Sequence, residues 1–74
     1  MDPEVVLAAQ HVDSGRRIVL RQHQIIARKR KLGLATDSAK SLLTTFEASQ
    51  AMFEEHLRAL LDEQDHKPKP ATIK

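Results

Sequence analysis

The chain has 74 residues, no cysteine and a formal net charge of +2 at neutral pH. That length holds one domain, and the missing thiols exclude a disulfide framework and every thiolate zinc site. Phe46 and Phe53 are the whole aromatic complement, and glycine occurs twice. An abundance of Ala, Leu, Gln, Arg, Lys and Glu then argues against a sheet protein and for helices.

The opening residues Met1-Asp2-Pro3-Glu4 are acidic and lack the basic start of a secretory signal. The longest apolar run, residues 5–9, falls far short of the ~20 residues a membrane span needs. A cytoplasmic protein without membrane contact is expected. Asp2 before Pro3 is also a helix start: the carboxylate can accept from a free backbone N–H, and proline fixes φ where no donor is lost. Helical periodicity predicts a first helix over about residues 3–32.

Gly15 interrupts it chemically, in Asp13-Ser14-Gly15, which could be a turn. The apolar columns keep their phase through this point, so one continuous helix is expected. Gly33 supplies the left-handed residue that ends many helices, after Lys29, Arg30 and Lys31 in a last turn where cations suit the helix dipole. Thr36-Asp37-Ser38 starts a second helix, predicted over about residues 36–65. With residues 33–35 as the turn, the two helices fold back as an antiparallel hairpin. Residues 66–74, with Pro68 and Pro70 among three lysines, read as an extended, flexible tail.

Along the first helix Val5, Val12, Val19 and Ile26 recur every seven residues. Ile18, Ile25 and Leu32 form a second column that begins at His11, and Ala8, Gly15 and Gln22 run between the two. The second helix repeats Ala39, Phe46, Phe53 and Leu60, flanked by Leu43, Gln50 and Leu57 on one side and Leu42, Ser49 and His56 on the other. A turn centred near residue 34 sets Gly15 against Phe53 and Gln22 against Phe46, with the phenyl ring of Phe53 filling the gap at Gly15. The candidate core and interface is therefore Val12, Gly15, Val19, Gln22, Ile26, Phe46, Gln50, Phe53, Leu57 and Leu60. Gln22 and Gln50, near-core and polar, are suited to fix register by hydrogen bonds.

These stripes are wider than one helix can cover, since Leu20, Leu42, Met52 and Leu61 lie toward the flanks. At this size a single core rarely supplies more than ~3–5 kcal/mol. A homodimer of hairpins, closing as a four-helix bundle, would cover the excess.

Residues 1–34 hold seven Lys and Arg against three acids, a balance of +4; residues 35–65 hold two against seven, a balance of −5. The plain interpretation is attraction between the two helices. An alternative is that Arg16, Arg17, Arg21, Arg28, Lys29, Arg30 and Lys31 bind nucleic acid or another polyanion. Against it stand the acids of the neighbouring helix and the absence of a base-stacking aromatic on the basic helix. Glu54 and Arg58 are spaced for an intrahelical ion pair.

His11, His23, His56 and His66 invite a metal or catalytic reading, but none lies three or four residues from another. Neither a nucleophile elbow, a P-loop nor a dinucleotide fingerprint occurs. A non-enzyme without cofactor is expected. A metal held by histidines meeting across subunits is the weakest reading.

The segment from His11 to Gln22, with its Gly15-Arg16-Arg17 and Arg21-Gln22, followed by Leu42-Leu43-Thr44-Thr45-Phe46-Glu47 and His56-Leu57-Arg58, resembles short uncharacterised bacterial helical proteins over residues 8–61. The resemblance implies a helical hairpin and carries no function or site.

Overall fold

The computed structural model describes residues 2–65, so the expected tail lies outside the described residues. Two helices, α1 (Pro3–Lys31) and α2 (Asp37–Asp65), account for nearly all of them and pack against one another; no strand occurs among the described residues. Each helix has 29 residues, hence a length of roughly 44 Å at 1.5 Å per residue.

Local chemistry explains the ends. Asp2, in extended conformation, caps α1 by accepting the Glu4 N–H on its Oδ1 at 2.8 Å, with Pro3 at the first helical position. At the other end Gly33, with φ of 72°, lets the chain reverse. The Leu34 N–H bonds the Lys29 carbonyl at 2.8 Å and the Gly33 N–H bonds the Arg30 carbonyl at 3.0 Å, the paired bonds of a Schellman ending. Four cations, Arg28 to Lys31, occupy that last turn and compensate the negative helix end. The last turn of α2 holds no base. At this open end of the hairpin, Gln64 Nε2 donates to Asp2 Oδ2 at 2.6 Å and ties the end of α2 to the cap of α1.

Helix α1 runs unbroken through Gly15. The core is thin: among the described residues Val5, Ala8, Val12, Ile26 and Ala39 are the buried apolar ones, and no large side chain is fully enclosed. Gln22 and Gln50 are buried with them. Val19, Phe46, Leu57 and Leu60 are half-buried.

The facing of the helices differs from the sequence expectation. Gly15 meets Gln50 instead of Phe53, and Gln22 reaches Ala39 instead of Phe46. The Schellman bond folds Leu34 back over the last turn of α1, and Asp37 and Ser38 border the same groove as Lys29. Helix α2 thus begins level with that turn rather than beyond it, which brings residues nearer the bend into the seam. Phe53 lies at the edge of the seam, 37% exposed.

Candidate functional site

The seam between the helices is narrow because small residues and amides fill it. Gln22 Nε2 donates to the Ala39 carbonyl and Gln50 Nε2 to the Val12 carbonyl, both at 2.9 Å. Each amide therefore reaches from one helix to a main-chain oxygen of the other, using an acceptor site that the helical ladder leaves free. Gln50 Nε2 also donates to Glu54 Oε2 at 3.1 Å. These two acceptors fix the amide orientation and leave Gln50 Oε1 buried without a hydrogen-bond partner, against Gly15.

Small seam residues draw the helices together but push the larger apolar side chains to the flanks. One flank is mainly apolar. Near the bend, Ile25 of α1 and Leu42 of α2 line a common groove with Gln22, Ala35 and Ala39, bordered by Lys29, Asp37 and Ser38. Near the open end, Leu7, Ala8 and His11 line another with Glu4 and His56. Between these, the rings of His11 and Phe53 lie 5.5 Å apart at 42°. Helical phase adds Ile18, seven residues from both His11 and Ile25, to the same side. Leu7 is 54% exposed, and Ile18 and Leu42 are each 46% exposed.

The opposite flank is charged. Arg16 stands 3.9 Å from Glu54, and His23 Nε2 stands 3.7 Å from Glu47 Oε2. Leu57, Arg58 and Leu61 border the groove between Arg16 and Glu54. Arg58 pairs with Glu55, not with Glu54 as its spacing suggested, because Glu54 is engaged by Arg16 and Gln50. Exposed pairs of this kind are each worth only about 0–1 kcal/mol.

The basic residues do not form one patch. Arg16 faces Glu54 and Arg17 pairs with Asp13 along α1. Arg28, Lys29, Arg30 and Lys31 are consecutive, so successive side chains point about 100° apart around the helix. Arg17, Arg21 and Arg28 share an outward stripe by helical phase. Among the described residues, Arg21, Arg28, Lys29, Arg30, Lys31 and Lys40 make no ion pair within 4.0 Å. Across the hairpin, the attraction expected between a basic and an acidic helix appears among the described residues in the Arg16–Glu54 pair, with His23 beside Glu47.

No group of three or more His, Asp or Glu side chains is placed to hold a metal ion among the described residues. No helix among them is long and apolar enough to cross a membrane. No protein-family model, curated protein or solved structure matches this chain.

Proposed function

We propose that this protein is a small structural or protein-interaction module that works as a homo-oligomer, most simply a homodimer closing into a four-helix bundle, without chemistry of its own. The observation that carries the reading is the apolar flank formed by Leu7, Ile18, Ile25, Leu42 and Phe53. It follows the length of a hairpin whose own buried core is five small or medium apolar residues. A chain of this size with so little enclosed gains its missing burial most directly from another copy. Contiguous exposed apolar surface on one side, with ion pairs on the other, is the usual signature of an interaction face. Co-expression of two differently tagged copies tests it: affinity capture of one tag is expected to retain the other, and clean separation of the two contradicts the reading.

A second reading has its own support. Arg28, Lys29, Arg30, Lys31 and Lys40 gather around the bend without ion-pair partners among the described residues, a cationic cap suited to a polyanion. Titration of a labelled DNA duplex separates it from the first, because phosphate contacts lose affinity steeply with salt. No binding at low salt retires it.

A further inference from the structure

We infer that a second copy covers the apolar flank in an antiparallel arrangement, with the bend of each hairpin lying over the open end of the other. This deepens the homo-oligomer proposal and rests on it; what is added is the partner's orientation. The charges are sorted along the rod as well as between the helices. The bend half, residues 18–50, carries six cations (Arg21, Arg28, Lys29, Arg30, Lys31, Lys40) against Asp37 and Glu47, a balance of +4. The rest of the chain, residues 1–17 and 51–74, carries six cations (Arg16, Arg17, Arg58, Lys67, Lys69, Lys74) against eight acids, a balance of −2.

Two hairpins stacked flank to flank hold their helices about 8–10 Å apart, near the Debye length of about 8 Å at physiological ionic strength. The two ends of one rod lie roughly 44 Å apart by helical rise and are screened from each other. The pairing of overlaid halves therefore decides the orientation. Bend over bend sets +4 on +4 and open end over open end sets −2 on −2. The antiparallel overlay sets +4 on −2 twice.

Two local features point the same way. The bend-half cations find no carboxylate within 4.0 Å in their own hairpin among the described residues. At the open end, the last turn of α2 carries the acids Glu63 and Asp65 and no base on the negative helix end, with Lys67 and Lys69 following in sequence. An antiparallel partner adds the bend cations to that end. The overlay is closed by a two-fold axis across the rods, as a parallel overlay would be by one along them, so the charges and not closure select the orientation.

The absence of native cysteine makes the test direct. Leu34→Cys places one nitroxide label at the bend, where the residue is exposed, and Leu20→Cys places one near mid-rod on an exposed position outside the flank. Dipolar electron resonance then measures label-to-label distances in the 74-residue chain. The antiparallel dimer predicts a Leu34–Leu34 separation near the helix length, about 40 Å or more, together with a clearly shorter Leu20–Leu20 separation. A bend-to-bend separation of roughly 10–20 Å, of the order of the interhelix spacing, overturns the orientation while preserving the dimer. No intermolecular signal at either position overturns both the orientation and the self-association beneath it.

Discussion

Gln50 and Gly15 occupy one site: the Oε1 of Gln50 stands 1.7 Å from where a Cβ on residue 15 would be. The glycine is thus a receptor for an amide. The amide in turn is anchored by its Nε2 to the Val12 carbonyl, one turn earlier on the same helix. The arrangement leaves a buried oxygen without a partner, which is tolerated because the same side chain aligns α2 against α1.

Gly15→Ala follows from this geometry. On an exposed helix position the change would add up to about 1 kcal/mol of helix propensity. Here the methyl displaces the Gln50 amide and its buried hydrogen bond, a loss of about 1–3 kcal/mol. The expected net effect is destabilisation by roughly 1–2 kcal/mol in urea unfolding. In a Gln50→Ala background the clash is gone, and Gly15→Ala should become neutral or stabilising. Equal effects in both backgrounds would mean the two residues are uncoupled.

Gly33 differs in kind, since nothing lies within 4 Å of a Cβ built there and only its φ of 72° is at stake. Gly33→Ala should lower stability by about 1–2 kcal/mol, the left-handed penalty for an L-residue. Gly33→Asn should lose less. Thermal unfolding of the three proteins at one concentration gives the order Gly, Asn, Ala; any other order contradicts the Schellman ending.

Ile18 and Leu61 form a matched pair, 46% and 44% exposed on opposite flanks. If exposure alone mattered, Ile18→Lys and Leu61→Lys would behave alike. The apolar-flank account predicts that Ile18→Lys weakens self-association by tenfold or more, since it places a charge in a buried face. Leu61→Lys should change it by less than about threefold, the sub-kcal/mol effect of a rim position. Dilution followed by light scattering reads both. Equal weakening contradicts the assignment of the flank.

Replacing Gln22 and Gln50 together by Leu tests what the amides contribute. Removing two buried polar groups for apolar ones of similar size should leave stability within about 1–2 kcal/mol of the parent or raise it. Uniqueness should suffer, because the Ala39 and Val12 carbonyls lose the ligands that align the helices. Broadened or multiplied amide NMR signals are expected. A single sharp set of signals with a large loss of stability would make the amides stabilising rather than aligning.

Much of the fold was legible because end signals are local. Asp2-Pro3, the cation-rich last turn and Gly33 each act within a few residues, and the hairpin of two helices follows from them. The exact facing was not legible. It depends on how far Leu34 folds back over α1, a few ångströms of geometry that no spacing encodes, and it sets Gly15 against Gln50 and Gln22 against Ala39. The pairing of Arg58 also escaped the spacing rule, since Glu54 answers to Arg16 across the seam and to Gln50 one turn earlier on its own helix. The charge sorting between bend and open end lay in the sequence throughout. It emerges only when the chain is folded at Gly33 and charges are grouped by distance from the bend instead of by helix.

Whether self-association shelters the apolar flank is read by sedimentation equilibrium over a wide micromolar range, with the thermal midpoint followed on the same samples. A mass about twice the 8.4 kDa of one chain is expected, with a midpoint that rises with concentration, as mass action requires when folding and association are linked. A mass of one chain throughout, with a cooperative midpoint independent of concentration, would contradict it.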